Sequence, residues 1–443
     1  MAKLDVFLGI DFGTSFTKVC YNINGTTYVY KNGNSPFIPT ELYYSTSNNI
    51  IFLKKSINEN EVFKVKYFKY SMAFDGLHIK EISDNLPIGY KYKELANIFS
   101  IFFLSDIIKN VKKEILNFTG IKPENINIEI NMSAPINDYR GGIYDLYRSV
   151  LISAFLLSQN NSESNSISIE DVKKIFKKVE SEYSTSYYEQ LKVHPEIFIE
   201  AVHFINKPGY NFGSYVIMDI GGGTVDVGIL WKREWEGREY FDLIVINIIK
   251  YGIEVLKNKL EKELNDEVII NILKNWLYEN NNKKAEYIDL KKESELSSDF
   301  LNNLKKMIDI EENALRNGIK DIKSKRIFYS GGGYNFSWYK KNISNIGNHQ
   351  IVEDKYQIEK IPQNIDKKVD LHRLVIAMEL AQPEDRISQN MGSTTIITGQ
   401  TKIPGTNNFQ FDICETNIIR EVKKQMDYYD LQDRQRELYG EAI

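Results

Sequence analysis

Cysteine, histidine and long apolar runs are scarce in this chain of 443 residues, and each scarcity excludes a class of protein. Cys20 and Cys414 are its only cysteines, so they supply neither a disulfide framework nor the paired spacing of a zinc site. The 5 histidines are scattered without a metal-binding spacing. The most apolar stretch, residues 99–108, is too short to cross a membrane and is interrupted by polar residues, which predicts a buried helix.

An excess of positive charge is also absent. The formal net charge is -4, which argues against a general nucleic-acid-binding protein. The first residues lead directly into an apolar segment and do not have the pattern of a secretory signal peptide. We therefore expect a cytoplasmic protein with no membrane span and no nucleic-acid partner.

The chain does contain two distant segments with one shared pattern, in which an apolar strand delivers an aspartate into a glycine turn and a second apolar strand leaves it. In residues 8–19 the aspartate is Asp11, and Lys18 lies on the outgoing strand. In residues 215–230 the aspartate is Asp219, and Asp226 lies on the outgoing strand. The turn residues are Gly13, Thr14 and Ser15 in the first segment and Gly221, Gly222, Gly223 and Thr224 in the second.

Such turns suit the phosphates of a nucleotide. Successive backbone N–H groups in a glycine turn form a nest for anions, and an aspartate at a strand end can hold a magnesium ion. A third turn, residues 331–333, is Gly-Gly-Gly after another apolar strand. Three ordinary hairpins are the alternative interpretation, since Gly-Gly is common in hairpins. The P-loop pattern is absent, and no Ser-His-Asp arrangement is suggested.

These motifs resemble those of the superfamily that contains actin, the sugar kinases and the seventy-kilodalton heat-shock chaperones. The segment GGGTVDVGIL is most similar to the second phosphate motif of the chaperones. The segments SPFIPTEL (residues 35–42) and IEINMSAPINDYR (residues 128–140) resemble two further chaperone segments. Lys18 departs from the chaperones, because actin and its bacterial relatives have a lysine at this place.

The resemblance implies an α/β, two-lobed actin-like ATPase fold of two ribonuclease-H-like halves with inserted subdomains, followed by a C-terminal helical tail. The expected first lobe covers 1–210 and contains an inserted subdomain over 38–120 and an extra insertion over 158–192. The expected second lobe covers 211–382 and contains an inserted subdomain over 252–325. A tail over 383–443 follows.

The resemblance also assigns roles to the turn residues, with ATP and Mg²⁺ as the expected cofactors. Asp11 and Asp219 would orient a hydrated magnesium ion across a cleft, and Asp226 would join the metal shell or hold the hairpin. The turn residues named above would bind the β- and γ-phosphates, together with Lys18. Gly331, Gly332 and Gly333 would hold the adenosine.

Two further catalytic candidates carry alternatives. Glu200 would orient the attacking water, although Glu196 competes for this role. The other interpretation of Glu200 is an exposed glutamate on the surface of a helix. Lys69 would reach the γ-phosphate, although Lys64 and Lys66 compete with it. A solvated lysine on a strand is the other interpretation of Lys69.

The expected activity is slow, magnesium-dependent ATP hydrolysis. The first functional hypothesis is a chaperone-like conformational switch that lacks a standard peptide-binding domain and acts through a protein partner. The alternative is a filament-forming, actin-like protein of bacterial type, whose partner is a second copy of itself. A small-molecule kinase on the same scaffold is the third hypothesis, for which the sequence offers no convincing catalytic aspartate.

Overall fold

Two β-sheets with the same strand topology organise the chain, whose structure is a computed structural model. The structure describes residues 3–54, 62–74, 91–135, 142–159, 165–182, 188–205, 213–235, 238–250, 252–255, 298–302, 326–333, 339, 350–351, 362–365, 371–383, 401–402 and 409–410. Most of the predicted subdomain over 252–325 and of the predicted tail over 383–443 lies outside these residues.

Among the described residues, seven strands come first, and helices and strands are then interspersed along the chain. The elements up to residue 134 are β1 (Leu4–Asp11), β2 (Phe16–Ile23), β3 (Thr26–Val29), β4 (Ile38–Pro39), β5 (Glu41–Ser45), β6 (Ile50–Phe52), β7 (Val62–Lys66), α1 (Phe68–Ala73), α2 (Tyr92–Thr119) and β8 (Ile126–Ala134). The next are α3 (Gly142–Ser158), β9 (Ser166–Ser168), α4 (Ile169–Glu182), β10 (Leu191–Pro195), α5 (Glu196–Ile205), β11 (Gly213–Ile220), β12 (Val225–Trp235) and β13 (Arg238–Ile249). The last are β14 (Arg326–Ser330), β15 (Gln350–Ile351), α6 (Val375–Leu380), β16 (Thr401–Lys402) and β17 (Phe409–Gln410).

The first sheet has the order β10-β8-β1-β2-β3, with β4 also paired to β2. Its strands β1, β2 and β3 form antiparallel pairs, whereas β8 and β10 are parallel to β1. The second sheet has the order β13-β12-β11-β14-β15. There β11, β12 and β13 form antiparallel pairs, and β14 and β15 are parallel to β11. In both sheets, therefore, the central strand carries an aspartate and lies between one antiparallel neighbour and one parallel neighbour.

The largest core lies between the first sheet and the helices α2, α3 and α4. Helix α2 is apolar on most of its circumference, and all of residues 98–105 are buried, which confirms the predicted buried helix at 99–108. Helix α4 is instead amphipathic, with Ile169, Val172, Phe176 and Val179 buried at helical spacing. Its start is capped by Ser168, whose Oγ accepts a hydrogen bond from the N–H of Asp171 at 3.2 Å.

A smaller sheet lies beside this core and corresponds to part of the predicted insertion over 38–120. Its order is β7-β5-β6-β9. The strand β9 was not expected, because the Ser- and Asn-rich composition of residues 158–169 predicts a loop. The amphipathic pattern of residues 170–192 predicts a single helix. In the structure α4 instead ends at Glu182, and residues 191–195 form β10, because pairing with β8 completes the sheet there.

Two helices pack between the sheets, and one of them arrives from late in the chain. Helix α6, which follows a 3₁₀ turn at Leu371–Leu374, packs on β1, β2 and β8 of the first sheet. Helix α5 follows β10 of the first sheet but contacts β11 and β12 of the second. The two helices meet through an apolar cluster and through His203 Nδ1 and Glu379 Oε1, which are 2.7 Å apart.

Gly9 allows α6 to approach the first sheet closely. A Cβ at Gly9 would lie 2.5 Å from the backbone nitrogen of Ala381 and 2.7 Å from the backbone carbon of Leu380. Helix backbone cannot move aside as the end of a flexible side chain can.

We expect Gly9→Ala to lower the free energy of unfolding by about 2 kcal/mol or more, because overpacking forces backbone shifts of this order. Urea denaturation measures the change. Gly142→Ala is the matched control, because a Cβ at Gly142 meets nothing within 4 Å. Equal effects of the two substitutions would show that α6 does not press on β1.

Candidate functional site

A cleft of about 270 Å³ opens where the β1–β2 hairpin meets the β11–β12 hairpin. Most of the residues predicted for the site line it. These are Asp11, Gly13, Thr14, Ser15, Lys18, Lys69, Glu200, Asp219, Gly221, Gly222, Thr224, Gly331 and Gly332. The fold thus brings together residues from both sheets, from α1, from α5 and from the turn after β14.

Three predicted residues do not line the cleft wall. Gly223 lies against Tyr70, and Gly333 packs on Ile220, to whose carbonyl oxygen it donates its N–H at 2.9 Å. Asp226 is buried on β12, directly across the strand pair from Asp219. Its carboxyl group therefore influences the cleft only indirectly, through its charge and through its cross-strand partner Asp219.

The two hairpins have equivalent registers but different partners for their aspartates. On the first hairpin Asp11 is paired with Lys18, whose Nζ lies 2.6 Å from Asp11 Oδ2. On the second hairpin the same pairing joins Asp219 to Asp226. One aspartate therefore has its counter-charge on the same hairpin, whereas the other faces a second carboxylate.

Thr40 holds the first turn in place, and the second turn lies against it. The hydroxyl of Thr40 donates to the carbonyl oxygen of Gly13 at 2.8 Å. The backbone N–H of Thr40 donates to the carbonyl oxygen of Ser15 at 3.0 Å. A Cβ at Gly222 would collide with Ser15 Oγ, so the two turns are in contact. That hydroxyl has no hydrogen-bond partner among the described residues.

The third glycine turn, at residues 331–333, packs against Asp219. Gly331 has φ +79, a left-handed conformation that favours glycine. A Cβ at this position would also collide with Asp219 Oδ1 and would lie 2.6 Å from the carbonyl oxygen of Ile220. The turn therefore needs glycine both for its backbone angle and for its closeness to the aspartate.

Helix α5 carries two glutamates on the face that looks into the cleft. Glu196 and Glu200 are four residues apart, a spacing that places side chains on one side of a helix, and both are buried. Glu196 accepts a hydrogen bond from Lys69. Glu200 accepts one from the hydroxyl of Ser330, and its Oε2 has no hydrogen-bond partner among the described residues. The helix-surface interpretation of Glu200 is therefore wrong.

Lys69 is not the solvated strand lysine of the alternative interpretation. It lies in α1, is 4% exposed, and forms an ion pair with Glu196. Burial alone would lower its pKa, but the nearby Glu196 and Asp11 outweigh burial, so that the pKa of Lys69 is raised. Its competitor Lys64 pairs with Glu41, outside the cleft.

Carboxylates crowd the floor of the cleft. Glu196, Asp219 and Asp226 each offer an oxygen, and these oxygens lie within 4.8 Å of one another. Burial, followed by repulsion from Glu196 and Asp11, raises the pKa of Asp219 to about 7. Burial also raises the pKa of Glu200 and of Asp226 well above the ordinary carboxyl value, with further repulsion from neighbouring carboxylates.

The cleft is chemically suited to a divalent cation. Its lining includes the carboxyls of Asp11, Glu196, Glu200, Asp219 and Glu254 and the cationic groups of Lys18, Lys69 and Arg373, and Asp226 lies behind Asp219. Carboxylate oxygens are the ligands that Mg²⁺ prefers. Oε2 of Glu200 and Oδ1 of Asp226 are buried without a partner among the described residues. A bound cation would relieve both the repulsion and the missing contacts.

Some lining residues escaped the sequence reasoning. Glu254 and Arg373 line the cleft although no motif marks them. Glu196 was considered only as a competitor of Glu200, but the structure places both in the cleft. The signal for Glu196 was present, since its four-residue spacing from Glu200 in an apolar helical segment indicates a shared face.

Comparison with known proteins identifies no family for this chain. No protein-family model matches the chain, and no curated protein matches it. Among solved structures, it is similar to MreB5 of Spiroplasma citri bound to ADP, with 14% sequence identity and a TM-score of 0.43, over 85% of this chain and 94% of that one. No helix among the described residues is long and apolar enough to cross a membrane.

Crowding of the carboxylates predicts a pH-dependent stability in the absence of metal. The folded state raises the pKa of Asp219 from 3.8 to about 7, so it favours the protonated form. Stability from this group is present at low pH and is lost as the pH rises through about 7. The free energy of unfolding of Asp219→Asn minus that of the wild type should therefore increase by about 2 kcal/mol from pH 5 to pH 8.

Urea denaturation with a chelator present measures this difference. The control is Asp145→Asn, because Asp145 is exposed on α3. A difference between Asp219→Asn and the wild type that stays constant from pH 5 to pH 8 would contradict the predicted repulsion. Added Mg²⁺ is expected to stabilise the wild type more than the variant.

Proposed function

We propose that this chain binds ATP together with Mg²⁺ in the cleft and hydrolyses the ATP slowly. The observation that carries the proposal is the meeting of two register-equivalent hairpins, each with an aspartate at its strand end, in one cleft with a third glycine turn. Hydrolysis of a terminal phosphate depends mainly on positioning and charge neutralisation. The cleft provides groups for both.

The carboxylates are the proposed metal site. Asp219 and Asp11 would hold the ion across the cleft, while Asp226 and Glu196 would supply further negative charge beside Asp219. When bound, Mg²⁺ neutralises charge on the phosphate oxygens. The turns at residues 13–15 and 221–224 offer backbone N–H groups to the phosphates, and Ser15 adds a hydroxyl.

Two lysines have separate proposed tasks. Lys18 is held by Asp11 beside the first turn, where its ammonium group can contact a phosphate without leaving its partner. Lys69 is fixed by Glu196 at the floor of the cleft. Because α1 carries Lys69, the position of this helix sets where the ammonium group meets the γ-phosphate.

Glu200 is the proposed acceptor for the attacking water. One carboxylate oxygen is held by Ser330, and the other has no partner among the described residues. A raised pKa makes this carboxyl a better proton acceptor than an ordinary glutamate near neutral pH. Glu196 suits the role less well, because Lys69 already occupies it.

The turn at residues 331–333 is the proposed contact for the adenosine.

The proposed output of the ATPase cycle is self-assembly. Lys18 on the first hairpin supports the actin-like alternative, and its ion pair with Asp11 gives it a defined place there. No described residue speaks specifically for the chaperone-like switch. The two-lobed division at residues 210 and 382 and a cytoplasmic location remain parts of this proposal.

The first test replaces the water acceptor. We expect Glu200→Gln to lower the steady-state rate of phosphate release by about 100-fold, within the range typical of a lost general base, while Mg-ADP affinity changes little. Calorimetry measures the affinity. Glu189→Gln is the control, because Glu189 is exposed near α5 in sequence. A wild-type protein that binds neither Mg-ADP nor Mg-ATP would refute the proposed function.

The second test concerns the output. We expect the purified chain to sediment as polymer with Mg-ATP, less so with Mg-ADP, and not with a chelator. Asp219→Ala should abolish this dependence, because the γ-phosphate and its metal lose their contact. A protein that hydrolyses ATP but stays unassembled at all concentrations would favour the switch that acts through a separate partner.

A further inference from the structure

A group of contacts outside the predicted motifs joins α1 to the second hairpin. Tyr67 donates its hydroxyl to Glu254 Oε2 at 3.0 Å. Tyr70 packs with Val255 in a small apolar cluster to which Tyr67 and Phe74 also belong. In the nucleotide site proposed above, α1, which carries Lys69, is thus fastened to the segment at residues 252–255, which follows β13 in the chain.

The second side of this contact is part of the phosphate hairpin. The N–H of Glu254 donates to the carbonyl oxygen of Gly222 at 2.7 Å, and that of Ile253 donates to the oxygen of Gly221 at 3.1 Å. A Cβ at Gly223 would lie 2.5 Å from the ring of Tyr70. Any movement of α1 away from residues 252–255 therefore also releases one face of the turn at residues 221–224.

Tyr67 has a strained backbone at this point. Its φ of 61 places a bulky aromatic residue in the left-handed region, which disfavours side chains of this kind. It directly precedes α1, and it turns the chain from β7 into that helix. Such strain persists where surrounding contacts impose it, and it occurs often at functional sites.

The Tyr67–Glu254 hydrogen bond has a charged acceptor in a partly buried place. Hydrogen bonds to charged groups contribute more to stability than hydrogen bonds between neutral groups. The bond joins the residue that directly precedes α1 to a residue beside the second hairpin, and it does not involve the carboxylates of the cleft floor. It can therefore be removed without altering a residue proposed to touch ATP or metal.

We propose that Tyr67 and Glu254 are positioning residues that hold α1 against the second hairpin and thereby slow the release of nucleotide from the cleft. Their bond keeps Lys69 and the turn at residues 221–224 on opposite sides of the bound phosphates. Breaking it allows the two sides to separate. The role rests on the proposed nucleotide binding, because the rate in question is that of ADP release.

The central experiment is Tyr67→Phe, which removes one hydroxyl and leaves the ring. Stopped-flow fluorescence with a methylanthraniloyl ADP, chased with unlabelled ADP, measures release. We expect release to accelerate about tenfold, as loss of a bond to a charged group implies. Single-turnover hydrolysis should change less than release, because Glu196 still holds Lys69.

Tyr21→Phe is the matched control. Tyr21 donates its hydroxyl to Glu114 Oε1 at 2.8 Å, which is also a tyrosine–glutamate bond, but one between β2 and α2 on the first sheet. It should leave ADP release unchanged. Glu254→Gln weakens the same link from the other side, so the double variant with Tyr67→Phe should release ADP no faster than the faster single variant.

A measurement without nucleotide separates this proposal from the proposed function. Hydrogen–deuterium exchange of the nucleotide-free protein should be faster at residues 252–255 in Tyr67→Phe than in Tyr21→Phe. Unchanged ADP release or unchanged exchange in Tyr67→Phe would overturn the positioning role. A chain that binds no nucleotide but shows the faster exchange would refute the proposed function and leave the contact between α1 and the second hairpin established.

Discussion

Repulsion among buried carboxylates is the constraint on which the cleft depends. Asp11 and Asp219 end the central strands of two sheets, so the fold itself brings their charges together. Glu196 and Glu200 add two more on one helical face. Lys18 and Lys69 offset only part of this charge, each by pairing with one carboxylate. A divalent cation bound among these carboxylates would offset the repulsion that the lysines leave.

The repeated topology makes the difference between the hairpins informative. Equivalent positions hold Lys18 on β2 and Asp226 on β12, although the two sheets have the same order of antiparallel and parallel strands. The first hairpin is therefore neutralised by its own lysine, whereas the second concentrates negative charge. A cation bound in such a cleft would be drawn toward the Asp219 side, and an anionic ligand would be drawn toward the Lys18 side. One duplicated scaffold thus gives two chemically distinct walls.

Local patterns predicted the hairpins and the buried helix at residues 99–108, because their signals lie in neighbouring residues. The sequence could not show that Lys69 lies on a helix beside Glu196, since this pair joins residues 127 positions apart. The end of α4 and the start of β10 were also missed, because pairing with β8, a tertiary contact, decides them. Glu254 and Arg373 reach the cleft only through the fold and carry no motif of their own.

Helix α6 has a consequence for how the chain folds during synthesis. The helix is built from residues 375–380 but fills the space against Gly9 and the neighbouring strands of the first sheet. Asn131 on β8 donates its side-chain N–H to the carbonyl oxygen of Leu380 at 3.0 Å, which fastens the helix there. The first sheet therefore leaves the ribosome with one apolar face uncovered and gains its cover only after the second sheet has been made. A nascent chain stalled before residue 375 would therefore expose that face to chaperones or to aggregation.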